Sequence, residues 1–218
     1  MGAKSTQSLT DQAYMTLEGL IVTLKIAPEQ SISEGEFCEQ TGFGHTPLRE
    51  ALQRLTQQHL ISIFARRGII VTEINVETQL QLLELRREIG RLVLRLAARR
   101  RTDAEHLQFA EIATAMEEAA EPNNEERFMV LDDAFNALVG TACRNAFAQT
   151  SMEQWSPLSR RFWYGHHALV GDLPKMAALH ADIAWAIVAG DAGAAARTSD
   201  LLVDYLTGFT RATLDAGY

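Results

Sequence analysis

Three polar side chains recur at intervals of four residues between Gly44 and Leu55. His45, Arg49 and Gln53 would lie on one face of a helix, because residues four apart project together. The opposite face would carry the apolar residues of the stretch, Leu48, Ala51, Leu52 and Leu55. The spacing predicts an amphipathic helix. Its polar face is either simply solvated or used for recognition, and the neighbouring sequence bears on that choice.

The start of this helix is predicted at Thr46 and Pro47. The Thr46 hydroxyl can cap the first turn, and proline suits the first helical position because its missing N–H would be unpaired there. A shorter helix precedes it, since Ser33 and Glu36 have the spacing of a capping box. That helix should end near residue 41, where Gly42 supplies the positive φ of a tight turn. Two short helices joined in this way form a helix-turn-helix, whose second helix can enter a DNA major groove.

Two short β-runs follow the second helix, at residues 62–64 and 69–74. The tip between them contains Arg66, Arg67 and Gly68, two cations and a glycine, as a loop that touches DNA would. We therefore predict a winged helix-turn-helix domain over residues 1–75.

The segment from Ser8 to Ile74 resembles the N-terminal domain of GntR-family transcriptional regulators. The matching features are a long first helix before Pro28, the Ser33-Glu34-x-Glu36 helix start, the run TPLREAL at 46–52, Leu60-Ile61 and the Arg67-Gly68 wing. Gly35 and His45 depart from the pattern, because family members usually carry arginine at both positions. The resemblance implies that DNA is contacted by residues of the second helix and the wing, here His45, Thr46, Arg49, Gln53, Arg66, Arg67 and Gly68.

The charge of the chain is unusual for a DNA-binding protein. The net charge is −8, and residues 1–75 carry six Lys and Arg against eight Asp and Glu. The cations are nevertheless concentrated where DNA contact is expected, at Arg49, Arg54, Arg66 and Arg67. Such a small basic patch predicts modest non-specific affinity for each monomer. We therefore expect a homodimer that binds double-stranded DNA at a short inverted repeat.

Residues 76–218 read almost entirely as helix. Candidate helices cover 76–101, 103–120, 124–142, 145–160, 173–189 and 191–216, and the segment FWYGHHALVGD has no clear period. An all-helical bundle fits this pattern and offers a core in which a small molecule can bind. The predicted fold class is mainly α, with the winged helix-turn-helix followed by this bundle.

The bundle resembles the FCD effector domain of FadR-type GntR regulators. Arg86 matches the pocket-lining arginine of that family, Asp132 and Phe135 match its Asp-x-x-Phe-His helix, and His180 matches its next histidine. In the family, one aspartate and three histidines hold a divalent metal, which binds a small carboxylate effector. Here Asn136 and Leu202 stand where two of the histidines should be.

These departures bear on the metal. Only Asp132 and His180 are good transition-metal ligands, because an amide oxygen binds weakly and leucine offers nothing. The two residues are a metal site with an incomplete ligand set, and we expect a polar, metal-free pocket instead. Its effector, a small organic acid, would contact Arg86, Asp132, Asn136 and His180. Two alternatives stay open: Arg86 forms a local salt bridge, or the His166-His167 pair is recruited to the metal.

Other function classes find less support in the sequence. P-loop, GxSxG, HExxH and dinucleotide motifs are missing, which argues against an enzyme. A winged helix that binds protein instead of DNA, or a helical metalloenzyme, remains an alternative. Cys38 and Cys143 form no CxxC pair, and no apolar run approaches the roughly 18 residues of a membrane span. We expect a cytoplasmic protein that does not contact membranes.

Overall fold

A computed structural model of the chain describes residues 8–65, 68–120 and 124–215. Over these ranges the backbone forms nine helices and three short strands, so the mainly helical class is confirmed. The chain divides into two compact units. The first comprises Met1–Asn75 and Pro157–Gly165, and the second comprises Val76–Ser156 and His166–Tyr218.

The first unit is built on two packed helices. Its elements are α1 (Leu9–Val22), β1 (Ser31–Ile32), α2 (Glu34–Thr41), α3 (His45–Gln57), β2 (Ile61–Phe64) and β3 (Gly68–Val71). The apolar stripe predicted for α3 is buried, and it packs against α1. Buried side chains of α1 complete this core, namely Ala13, Leu17, Ile21 and Val22.

The start of α3 differs from the prediction. The helix begins at His45, and its N-cap is Gly44, whose extended backbone (φ −71°, ψ 161°) has the conformation that a capping residue needs. Thr46 is therefore the second helical residue and does not cap the turn. Pro47 is still accommodated, because the N–H groups of the first turn have no partner within the helix.

The turn before α3 follows the sequence prediction. The Ser33 hydroxyl accepts a hydrogen bond from the Glu36 N–H (3.4 Å) at the start of α2. At the other end, Gly42 adopts φ 74° and ψ 5°, a left-handed conformation that glycine reaches without strain. This turn brings the first residues of α2 close to the first residues of α3, as the bonds described below show.

The strands form one antiparallel sheet with the order β1-β3-β2. Ile61 pairs with Val71 and Phe64 with Gly68, so the two predicted β-runs do form the wing, although β3 ends at residue 71 instead of 74. The third strand, β1, was not predicted, because two residues are too few to show alternation. Arg66 and Arg67 lie outside the described residues.

The middle of α7 (Ala146–Val170) belongs to the first unit. Arg161, which is 3% exposed, donates to the Thr72 carbonyl (3.1 Å), the Thr72 hydroxyl (3.0 Å) and the Glu73 carbonyl (3.0 Å). Burial lowers the pKa of Arg161 to about 10, which leaves the guanidinium protonated at neutral pH. Arg160 forms an ion pair with Glu18 of α1 (2.9 Å), so this segment is tied to both ends of the unit's sequence.

The second unit is a helical bundle. It comprises α4 (Val76–Arg100), α5 (Asp103–Glu118), α6 (Glu125–Ala142), both ends of α7, α8 (Leu173–Val188) and α9 (Ala192–Asp215). Helix α7 continues to Val170, through the segment whose structure the sequence left open, and His166 and His167 lie within it. Phe162 and Trp163, in the part of α7 that belongs to the first unit, are adjacent in the sequence and both buried, so this segment shows no single apolar stripe.

Helices α4 and α9 cross closely in this bundle. A Cβ atom added at Gly90 would lie 2.9 Å from the Ser199 hydroxyl oxygen, nearer than real Cβ contacts come. On the same side, Arg91 donates to Asp200 (2.7 Å) and Arg87 to Asp204 (2.6 Å). None of the helices in the described ranges is long and apolar enough to cross a membrane.

Candidate functional site

One face of α3 is exposed over its whole length. His45, Thr46, Arg49 and Gln53 are all exposed, whereas the apolar residues between them are buried in the core of the first unit. The helix therefore presents an imidazole, a hydroxyl, a guanidinium and an amide to solvent within three turns. Arginine and glutamine are side chains that can form paired hydrogen bonds with base edges in a DNA major groove.

Two of these side chains, His45 and Arg49, contact the same carboxylate. Oxygen Oε1 of Glu34, the first residue of α2, accepts from Nε of Arg49 (2.9 Å) and lies 2.8 Å from Nδ1 of His45. The hydrogen bond with His45 and the neighbouring Arg49 charge lower the pKa of the Glu34 carboxyl. The sequence placed Glu34 on the preceding helix but gave no sign of this contact.

Arg54, which the sequence grouped with the DNA-contacting cations, is exposed but lies to one side of the row formed by His45, Arg49 and Gln53. Its Nη1 donates to Asp11 of α1 (2.9 Å), and its guanidinium carbon lies 3.8 Å from the centroid of the Tyr14 ring. The reason is helical geometry, because residue 54 is one position, about 100°, from Gln53. Arg54 therefore braces α1 against α3.

The wing is described on both sides of its tip. Gly68 is exposed, begins β3 and has φ 76°, which favours glycine at this position. The Ile63 and Phe64 side chains of β2 are 53% and 49% exposed. The described part of the wing therefore places apolar side chains and a glycine at the surface.

The second unit holds a buried polar pair. Nδ1 of His180, whose side chain is 1% exposed, lies 2.9 Å from the Met176 carbonyl oxygen and donates to it. Nε2 of the same ring lies 3.0 Å from Oδ1 of Asp132, although outside the direction of a good hydrogen bond. The rings of Phe128 and Phe135 stand edge-on to the imidazole, with centroids 5.4 and 5.9 Å away. The structure thus brings together two residues that the sequence singled out.

Asn136 lies one turn further along α6 from Asp132. It is half-buried, and its amide nitrogen donates to the Asp132 backbone carbonyl (2.8 Å). One amide N–H is therefore used within the helix.

Arg86 of α4 has an aromatic neighbour that the sequence did not suggest. The guanidinium carbon lies 5.1 Å from the centroid of the Trp155 ring, within the range of a cation–π interaction. Burial lowers the pKa of Arg86, and the negative charge of Asp132 opposes that shift. The Arg86 guanidinium and the Asp132 carboxylate therefore act on each other electrostatically within this unit.

The residues of this site do not make a transition-metal centre. Asp132 and His180 supply two donor atoms, whereas Leu202 is an apolar, buried residue and Asp200 pairs with Arg91. Among the residues that the structure describes, no group of three His, Cys, Asp or Glu side chains could hold a metal ion. Protein zinc sites use three or four such ligands.

Comparison with known proteins finds two family models that match consecutive parts of the chain. Residues 9–71 match the model of the gntR family of bacterial regulatory proteins, and residues 81–204 match the FCD domain model. The chain is similar to the transcriptional repressor RspR of Escherichia coli, with 28% identity over 88% of this chain and 84% of that protein. It is also 30% identical to the Nta operon transcriptional regulator of Aminobacter aminovorans. That match covers 60% of this chain and 62% of that relative's own length.

The fold also matches a solved structure. The E. coli protein McbR/YncC superposes with a TM-score of 0.81 over 96% of this chain and all of its own, at 17% identity, which is a likeness of fold. Two consecutive domain models cover most of the chain, in the order that the two units follow. The protein belongs to the GntR family of bacterial transcriptional regulators and carries an FCD domain.

Proposed function

We propose that the first unit binds double-stranded DNA through the exposed face of α3. The observation that carries this proposal is the exposure of His45, Thr46, Arg49 and Gln53 on a helix whose other face is buried. Arg49 would read a guanine edge or hold a phosphate. Arg66 and Arg67, with Gly68 beside them, would contact the phosphate backbone from the wing.

The protein would act as a homodimer in the cytoplasm. A net charge of −8 gives one copy little attraction for DNA, so two copies on one duplex would supply the affinity that one lacks. Two-fold symmetry would make the operator a short inverted repeat. We infer that the protein is a repressor and that it catalyses no reaction.

The second unit would bind a small carboxylate effector without a metal. Arg86 would hold the carboxylate through its planar fork of N–H groups, and its contact with Trp155 limits the positions that this fork can take. Asn136 and His180 would add polar contacts, and Asp132, 3.0 Å from the imidazole, would help to orient it.

The effector would regulate DNA binding by shifting the equilibrium between two packings of the dimer. A small acid that binds one packing of the dimer better than another favours that packing, and with it one separation of the two recognition helices. Its effect on DNA affinity is limited by its differential affinity for the two states.

Selection of bound sequences from a random duplex pool tests the DNA-binding proposal. We expect an enriched inverted repeat, and we expect one or more small carboxylates to change the enrichment. A saturable complex with no sequence preference would contradict the proposal. A winged helix that binds protein instead would give no salt-dependent duplex binding at all.

Calorimetry with a panel of small carboxylates tests the pocket. The Arg86→Ala variant should lose the binding that the unaltered protein shows. Arg99→Ala is the matched control, because Arg99 is an exposed arginine near the far end of the same helix. Equal binding by the two variants would remove Arg86 from the effector site.

A further inference from the structure

We propose that Glu34 is a specificity-determining positioning residue, which aims Arg49 at a base edge and disfavours its contact with phosphate. The inference rests on the proposed binding of DNA by α3. The family resemblance includes Glu34 only as part of a helix start, and the residue lies on the helix before α3, outside its exposed stripe. Its assignment comes from the contacts of one carboxylate oxygen.

The first part of the argument is geometric. A guanidinium is planar, so the bond from Nε of Arg49 to Oε1 of Glu34 restricts the plane of the whole group. The four N–H bonds on the two terminal nitrogens are not used by this contact. Two of them form the fork that matches O6 and N7 of guanine. Glu34, which anchors Nε of Arg49, is the more buried partner of the pair. Its side chain is 28% exposed, whereas the Arg49 side chain is 69% exposed.

Glu34 is itself held in place. It is the first residue of α2, where Ser33 caps the helix, and a carboxylate is stabilised near a helix N-terminus. His45 shares its oxygen at 2.8 Å, so the carboxylate is approached from two side chains of α3. The turn at Gly42 joins the two helices and keeps these groups together.

The second part is electrostatic. A phosphate that approached Arg49 would also approach the Glu34 carboxylate, and two like charges repel. A guanine edge carries no net charge and meets no such repulsion. The carboxylate therefore weakens random phosphate binding more than it weakens reading of the correct base. This selectivity matters in a chain where Gly35 and His45 stand in place of two arginines of the family pattern.

The test compares two glutamate variants over a series of salt concentrations. Glu34→Gln removes the charge and keeps the shape, whereas Glu39→Gln makes the same charge change at an exposed site on the same helix. Each is measured against the sequence selected by the unaltered protein and against a random duplex. For Glu34→Gln we expect a salt slope on random DNA steeper by about one unit, and a specificity ratio lower by roughly tenfold.

The possible results distinguish this inference from the proposal that α3 binds DNA. If Glu34→Gln and Glu39→Gln behave alike, this inference is overturned while the DNA-binding proposal stands. If the unaltered protein prefers no sequence, both fall together. A further measurement needs no DNA: the exchange of the Arg49 Nε–H hydrogen with solvent, followed in ¹⁵N-resolved NMR spectra. This exchange should be slow in the unaltered protein and faster in Glu34→Ala. Equal exchange in the two would show that the contact does not hold the guanidinium.

Discussion

Arg49 and Arg54 are two arginines on one helix with different surroundings, since Arg49 pairs with Glu34 of α2 and Arg54 pairs with Asp11 of α1. Arg49→Ala should cost about 1–3 kcal/mol of specific DNA affinity if the side chain reads a guanine, roughly a 5- to 150-fold rise in Kd. If Arg49 instead holds a phosphate, the loss should be about equal on all sequences. The stability of the fold should change little, because the Arg49 side chain is 69% exposed.

Arg54→Ala is the matched control, with the opposite pattern. Its ion pair with Asp11 is partly exposed and contributes at most about 1 kcal/mol, and its contact with Tyr14 adds roughly 0.5–1 kcal/mol. We therefore expect a loss of stability of about 0.5–2 kcal/mol without a change in sequence preference.

The assay is fluorescence anisotropy with a labelled selected duplex, paired with urea unfolding of each variant. The two measurements separate DNA contact from stability, since each variant should move only one of them. The reasoning would be refuted if folded Arg49→Ala bound the selected duplex as tightly as the unaltered protein. It would equally be refuted if Arg54→Ala lost sequence preference while remaining folded.

Three further predictions concern the second unit. Gly90→Ala should destabilise the protein by about 1–3 kcal/mol in urea unfolding. The same substitution should cost little in a Ser199→Ala background, because that background lacks the oxygen that the new methyl group would meet. Equal costs in both backgrounds would contradict the close crossing. Arg144 and Thr102 lower the pKa of Glu105, so its stabilising effect is present above pH 4.5 and lost as the pH falls through the lowered pKa. Glu105→Gln should therefore be less stable than the unaltered protein at pH 7, and the difference should narrow in acid; a constant difference would contradict this. Protein purified without a nickel column should carry clearly less than one transition metal per chain by elemental analysis, whereas a stoichiometric metal that survives dialysis and is lost in His180→Ala would contradict the metal-free pocket.

Much of the fold could be predicted because its signals are local. The apolar spacing of α3, the cap at Ser33 and the positive φ at Gly42 each depend on a few neighbouring residues. The errors arose where local signals compete or are missing. Thr46 and Gly44 are both suitable as the residue before a helix. The helix starts at His45, so Gly44 is the N-cap and the predicted cap at Thr46 was wrong. The capping box at Thr102 and Glu105 is fully formed, and its sequence signal could have been recognised.

The candidate site was less predictable, because its contacts join distant parts of the sequence. Asp132 and His180 were singled out through the family resemblance, and no spacing rule brings them within 3.0 Å. Trp155 and Arg86 are far apart in the sequence, so no local pattern encodes the 5.1 Å approach of the guanidinium carbon to the ring centroid. The bond between Glu34 and Arg49 likewise forms only because the turn at residue 42 folds α2 back on α3.

The central claim is that this chain reads DNA sequence through α3. Its most direct test is the ratio of the two Kd values for the selected inverted repeat and for a shuffled duplex of equal length, measured at one physiological salt concentration. The account predicts that the selected duplex binds two copies of the chain, at least about a thousandfold more tightly than the shuffled one. Equal affinity for the two duplexes, with the protein folded, would contradict it.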